Sequence, residues 1–208
     1  EKGARVLVVS KEVNLPEDVD ITIIKVENTR YAMAFISAAY FGYPADELKV
    51  IGITGTKGKT TTTYLIKSIL ESAGHKVGLI GTIETIIGEK HIPANNTTPE
   101  SFVLQKYFRQ MADEGCEIVV MEVASQGLKL HRTQGFTFEI GIFTNLSPDH
   151  IGPNEHADFE EYQMCKGLLF KQCRLGIVNI DDTYAKAVLA GHTCQVETYG
   201  FDKQADLY

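Results

Sequence analysis

The sequence has no tryptophan and only four cysteines, Cys116, Cys165, Cys173 and Cys194, with no CxxC pair and no regular spacing among them. Thiols scattered in this way make neither a disulfide framework nor a zinc site, and they fit reduced structural cysteines of a cytoplasmic protein. Long apolar runs are also missing, since none approaches the roughly 18 residues of a membrane span. No basic start, apolar stretch and small-residue cleavage site marks a secretory leader. Positive charge is in deficit, with 20 Lys and Arg against 27 Asp and Glu and a net charge of -7. That balance argues against a nucleic-acid partner, although one basic loop can hold an anionic small molecule within an acidic protein. Repeats and low-complexity tracts are absent too.

The 208 residues are 44% hydrophobic and 23% charged, an ordinary globular composition with length enough for a real core. The chain opens at Glu1 without a methionine and stops at Tyr208 in a polar stretch, which reads as a piece of something longer. Residues 5–10 and 21–26 are short β-branched runs. Asn28 caps a predicted helix over 29–41, in which Ala32, Phe35, Ile36 and Ala39 recur at helical spacing. Gly42-Tyr43-Pro44 then breaks the chain, so residues 1–45 read as the end of one domain and a connector.

From Lys49 onward strands and helices alternate. Residues 50–54 form a buried strand, and 60–73 a helix with Tyr64, Leu65, Ile69 and Leu70 inward, stopped by Gly74. Strand 77–80 follows, then a hairpin from 82–87 and the stretch after Gly88. A helix over 100–114 follows Pro99; strands are expected at 117–122, 140–145 and 175–180, and a helix at 159–170. Continuous apolar strands alternating with helices predict an α/β fold, a mostly parallel sheet with helices on both faces, over residues 46–208. Such sheets bind ligands beyond the carboxyl ends of their strands, and several unusual polar groups sit just there.

The strongest is the turn Thr54-Gly55-Thr56-Lys57-Gly58-Lys59-Thr60-Thr61. Gly55 and Gly58 let the backbone curl around an anion with its N–H groups inward, and the helix that follows adds its positive end. Lys59 can reach outer phosphates while the Thr60 hydroxyl binds Mg²⁺. The general P-loop pattern is met imperfectly, because its first glycine falls at Ile53. Glu122 ends a buried apolar strand, where a carboxylate needs a partner, and beside a nucleotide that partner is a magnesium ion. In the segment from Phe143 to His150, His150 offers a metal ligand or proton acceptor that Asp149 can orient. His131 and His156 read as exposed. The polar loop Asn95-Asn96-Thr97-Thr98-Pro99-Glu100 can grip an anionic substrate at a helix N-terminus. Lys166, on the last helix, would on composition alone be a solvated surface charge.

Together, Gly55-Thr-Lys-Gly-Lys-Thr-Thr61, Asn96-Thr-Thr-Pro-Glu100, Met121-Glu-Val-Ala-Ser125, Phe143-Thr-Asn-Leu146 with Asp149-His150, and the run from Tyr162 to Lys166 resemble the Mur ligases of bacterial peptidoglycan synthesis. The likeness runs in order over about residues 30 to 182 and is strongest to the MurE-type branch, which adds the third residue of the peptide. It implies three domains, of which residues 1–45 would end the uridine-nucleotide domain and 46–208 supply much of the central ATPase domain. The C-terminal amino-acid domain would be absent, leaving this piece inactive alone. The implied reaction is ATP-dependent amide formation, in which the terminal carboxylate of UDP-MurNAc-L-Ala-D-Glu becomes an acyl phosphate and the amine of lysine or meso-diaminopimelate displaces phosphate. The resemblance further implies that Gly55 to Thr61 (Gly55, Thr56, Lys57, Gly58, Lys59, Thr60, Thr61) cradles ATP, with Lys59 stabilising the transferring phosphoryl group. Thr60 and Glu122 would hold one Mg²⁺, and His150 and a carbamylated Lys166 a second. Asn96, Thr97, Thr98, Ser125 and Arg132 would hold the muramoyl dipeptide. A cytoplasmic monomer with small-molecule partners and no nucleic acid is expected.

The sequence departs from the family at Lys57, where asparagine is usual, at Ala124 and Leu130, where polar groups are common, and at Ile151-Gly152, in a loop about two residues longer. These departures leave open a related ligase acting on another carboxylate, of the folylpolyglutamate-synthase kind or another Mur step. A non-catalytic nucleotide-binding module is the third alternative.

Overall fold

The computed structural model describes residues 3–16, 20–149, 151–153 and 155–208. In chain order the elements are β1 (Val6–Val9), β2 (Thr22–Lys25), α1 (Thr29–Tyr40), β3 (Lys49–Thr54), α2 (Lys59–Ser72), β4 (Val77–Ile80), β5 (Glu84–Ile87) and β6 (Lys90–Pro93). They continue with α3 (Ser101–Asp113), β7 (Ile118–Glu122), α4 (Ser125–Lys129), β8 (Phe138–Phe143), α5 (Phe159–Gly167), β9 (Cys173–Asn179), α6 (Ala185–Val188) and β10 (Gln195–Tyr199). Strands β1 and β2 pair in parallel as a separate ribbon. The other eight form one sheet in the order β10-β9-β8-β3-β7-β4-β5-β6. It is parallel from β10 to β4, while β5 and β6 close its edge antiparallel, as the expected hairpin.

Strand pleating sends neighbouring residues to opposite faces, and the central strands are apolar on both. Val50, Val119 and Met121 face a large cluster with Leu104, Phe108 and Met111 of α3 and with Tyr162 and Phe170. Ile51, Ile53, Ile118 and Val120 face Ile66 and Leu70 of α2. The chain passes from β3 over β7 to β4, and later from β7 across β3 to β8. The order of winding therefore reverses beside the carboxyl end of β3, where an α/β sheet leaves a crevice.

Helix α2 is rotated relative to the sequence expectation: Thr63, Ile66 and Leu70 face the sheet, while Leu65 and Ile69 are 58% and 67% exposed. Gly58 is the N-cap with φ 85°, so the tight loop from β3 fixes the angle at which the helix starts. Helix α1 buries Ala34, Ser37 and Ala38, leaving Phe35 and Ile36 exposed. Its small residues permit a close approach to the Gly135 turn, where a Cβ would meet Ala34 O at 3.0 Å. Asn28 caps α1 as expected, accepting from the N–H groups of Arg30 and Tyr31 at 2.9 and 3.1 Å. The last predicted helix ends earlier, at Gly167, and tightens into a 3₁₀ turn over Leu168–Lys171.

Candidate functional site

The β3–α2 loop carries the site's central geometry. Gly55 has φ 155°, and a Cβ there would collide with Thr144 Oγ1. Only glycine lets the loop lie this close to the segment after β8. The two segments are laced together: Asn145 Oδ1 accepts from Lys57 N at 3.0 Å, and its Nδ2 donates to Lys57 O at 2.9 Å. Asn145 O accepts from Thr56 N at 2.8 Å. Thr144 and Asn145, which the sequence marks only as part of a motif, hold the β3–α2 loop in place. From behind, Asn179 Nδ2 donates to Thr144 O, and Asp182 accepts from Leu146 N.

Two ammonium groups converge on the loop. Lys59 Nζ donates to Gly55 O at 2.9 Å and Thr56 O at 3.1 Å. Lys166 Nζ donates to the same Gly55 O at 2.8 Å and lies 4.4 Å from the centre of the Tyr162 ring. The surface reading of Lys166 is corrected, since the side chain is 1% exposed. Burial lowers the Lys166 ammonium to about 7, and the neighbouring Lys59 charge pushes the same way. Burial also lowers Lys59, against the opposing pull of Glu122 and Asp149. Tyr162, fully buried, anchors the loop tip through a 3.1 Å hydrogen bond between its hydroxyl and Thr56 Oγ1. Lys57 and Thr61 are exposed at the loop and on the first turn of α2.

Glu122 ends β7 beside this loop and is 1% exposed. Its carboxylate accepts from Thr60 Oγ1 at 2.9 Å, from Thr82 N at 2.8 Å and from Thr82 Oγ1 at 3.1 Å. Thr82 escaped the sequence reading, although Gly81-Thr82 directly follows β4 and so repeats the strand-end pattern that selected Glu122. A hydroxyl and a carboxylate oxygen 2.9 Å apart at a helix N-terminus are hard donors that suit Mg²⁺. No trio of His, Cys, Asp and Glu side chains that could hold a metal occurs among the described residues. As an ammonium Lys166 cannot ligate a cation; only a carbamate on its Nζ would offer the cation oxygen donors. The depressed ammonium makes that chemistry accessible, because the neutral amine is the form that adds CO₂. The candidate ligand His150 lies outside the described residues.

The expected substrate residues line one cleft of about 220 Å³ in which Asn96, Thr97, Thr98, Ser125 and Arg132 meet Lys59 and Lys166. Thr98 is the hub: its hydroxyl donates to Glu122 O at 3.0 Å and accepts from Ala124 N at 2.9 Å. Its carbonyl accepts from Arg132 Nη1 at 3.1 Å. Thr97 Oγ1 lies 3.0 Å from Thr82 Oγ1. Arg132 Nη2 pairs with Glu100 at 2.7 Å, and Glu100 also pairs with Arg30 of α1 at 2.9 Å. Among the described residues the buried Arg132 Nε has no hydrogen-bond partner. The expectation of an exposed His156 is corrected: it is fully buried, with Nε2 2.9 Å from Ser125 Oγ. His131 is partly buried, edge-on to Tyr31.

A model of the Mur ligase middle domain matches residues 53–208. The UDP-N-acetylmuramoyl-L-alanyl-D-glutamate–2,6-diaminopimelate ligase of Clostridium perfringens (strain 13 / Type A) is 48% identical over 211 residues, 99% of this chain and 43% of that protein. The enzyme of the same name from Clostridioides difficile (strain 630) is 43% identical over 210 residues, 99% of the chain and 42% of that protein. The chain thus spans under half the length of the curated relatives it matches. A solved structure of a UDP-N-acetylmuramoyl-L-alanyl-D-glutamate–2,6-diaminopimelate ligase superposes with a TM-score of 0.82 at 25% identity, covering 96% of this chain and 41% of that one.

Proposed function

The chain belongs to the Mur ligase family, and from that premise we propose that it is the ATP-binding part of an ATP-dependent, ADP-forming ligase that adds a third amino acid to UDP-MurNAc-L-Ala-D-Glu. The relatives named for that acceptor add 2,6-diaminopimelate, so the reading favours diaminopimelate over lysine. The observation that carries it is the convergence of Lys59, Lys166, the Thr60–Glu122 pair and the Asn96–Thr98 loop at one sheet edge. Residues 1–45 are read as the end of the substrate-nucleotide domain and 46–208 as the central domain. The protein is proposed to act in the cytoplasm as a monomer.

Making an acyl phosphate brings two anions together, so positive charge must stand between them. In this proposal the backbone from Gly55 to Thr61 cradles the ATP phosphates. Lys59 exchanges its bonds to Gly55 O and Thr56 O for the outer phosphates and stabilises the phosphoryl group in flight. Thr60 and Glu122 would hold one Mg²⁺, and His150 with a carbamylated Lys166 would hold another; the ions would supply charge neutralisation. Arg132, Ser125 and the 96–98 loop orient the acceptor carboxylate toward the phosphate. Ala124 and Leu130 replace polar groups common elsewhere in the family, but the backbone N–H of Ala124 still engages Thr98.

The test is ADP release by the full-length protein given ATP, Mg²⁺ and UDP-MurNAc-L-Ala-D-Glu, with lysine and diaminopimelate supplied separately. Turnover with diaminopimelate is expected. ATP binding without turnover on either amino acid would reject the acceptor assignment, and Lys166→Ala should abolish turnover while ATP still binds.

A further inference from the structure

His156 sits at the end of the long loop after β8 and just before α5, and it is completely buried. Its Nε2 is 2.9 Å from the hydroxyl of Ser125, the first residue of α4, and Ser125 lines the acceptor cleft. Behind the ring, Nδ1 is 3.6 Å from Glu161 Oε2. That carboxylate oxygen is itself fixed by Lys129 Nζ at 2.9 Å and by Ala157 N at 2.8 Å. The ring packs against Tyr162 at 5.2 Å between centroids, and the His156 carbonyl accepts from Gly152 N at 3.1 Å. A chain of polar contacts therefore runs from Lys129 through Glu161 and His156 to a hydroxyl at the cleft wall.

We infer that His156 is a positioning residue: it locks the rotamer of Ser125, so that the serine hydroxyl meets the peptide end of the acceptor in one fixed direction. The physical case is one of freedom removed. A serine hydroxyl on a helix's first turn has three rotamers open to it and several local acceptors. One bond to a buried, immobile ring leaves the remaining hydrogen-bonding capacity of the hydroxyl aimed one way, which is how a supporting shell sharpens a binding group. The ring joins α4 to the loop that carries Asp149, so the same contact sets the spacing between the acceptor wall and that loop. This inference rests on the proposed acceptor-ligase reading.

The experiment is a double-mutant cycle in the full-length protein, reading kcat and the separate KM values for ATP and UDP-MurNAc-L-Ala-D-Glu. Ser125→Ala is expected to raise the acceptor KM about tenfold, the worth of one hydrogen bond. His156→Phe keeps the ring's bulk, removes its nitrogens and should raise the acceptor KM comparably. The double variant should be no worse than either single one, because both remove the same contact. His156→Gln, which returns a polar nitrogen near Nε2, should recover most of the loss. The ATP KM should stay within about twofold throughout. If His156→Phe does not fold, Glu161→Gln is the alternative perturbation: a smaller rise in the same direction, abolished when Ser125 is alanine. An acceptor KM that ignores His156→Phe, or a rise that persists undiminished in the Ser125→Ala background, overturns the inference and leaves the ligase reading standing. A wild-type protein without turnover rejects that reading, and this inference with it.

Discussion

Replacing Lys166 by methionine should stabilise the chain, by an amount that shrinks as pH rises. The ammonium titrates at 10.5 when solvated and at about 7 in the folded protein, chiefly because it is buried. Between those values the unfolded chain holds a proton that the folded chain has released, so stability rises with pH across that window. Below pH 7 the folded state carries the full cost of a buried cation, on the order of 5 kcal/mol at about 1.4 kcal/mol per unit. Near pH 9 the same bookkeeping leaves roughly 2 kcal/mol. Methionine is neutral in both states and fills a similar volume, so it escapes the cost while losing the bond to Gly55 O. That loss is the same at every pH at which the side chain keeps its place. The gain measured near pH 6 should therefore exceed the gain near pH 9 by roughly 3 kcal/mol. Urea unfolding of both variants in CO₂-free buffer, followed by far-UV circular dichroism, measures it. A difference independent of pH, or one that grows toward alkaline pH, would refute the argument that a desolvated ammonium dominates this position.

Other outcomes follow from the same geometry. Adding bicarbonate to the wild type near pH 8 should increase its mass by one CO₂, and Lys166→Met should abolish the adduct, as native mass spectrometry can check. Thr98→Val leaves Ala124 N without its acceptor, removes the hydroxyl donor to Glu122 O, and should cost about 1–3 kcal/mol in chemical denaturation. Gly55→Ala forces a Cβ into Thr144; a loss of nucleotide affinity by more than tenfold in a fluorescent-ADP titration is expected, and undisturbed affinity would contradict the close approach. Glu122→Gln removes the anion that Thr60 and Thr82 surround. Mg²⁺-dependent ATP binding should then fall, with little change in Mg²⁺-free binding.

The elements near the sheet centre were legible because their signals are local. Thr54 to Thr61 combines strand, glycines and helix start in consecutive residues, and the strand ending at Glu122 is apolar to its last position. The loop at 95–100 and the cap at Asn28 are equally self-contained. What was misread depended on rotation about an axis or on what comes to lie opposite. Leu65 and Ile69 share an apolar stripe with Leu70, yet the angle at which the β3–α2 loop launches α2 turns them outward. In α1 the large side chains stay outside because only Ala34, Ser37 and Ala38 fit under the Gly135 turn. Strand β10 lies at the sheet edge, half exposed and with polar residues at alternate positions, so it lacks the apolar run that marks the central strands. Helices α4 and α6, of five and four residues, are too short for periodicity to register.

By itself the sequence determined which chemical groups stand at strand ends, and that a parallel α/β sheet would present them along one edge; backbone periodicity and glycine stereochemistry require nothing further. Tertiary structure alone decided that Lys166 is buried on Gly55 O, that Thr82 completes the ring of donors around Glu122, and that His156 backs Ser125. Each of these joins residues distant in the chain. Burial, which sets the cost of a charge and the direction of its pKa, is a property of what packs around a group, and no local spacing encodes it.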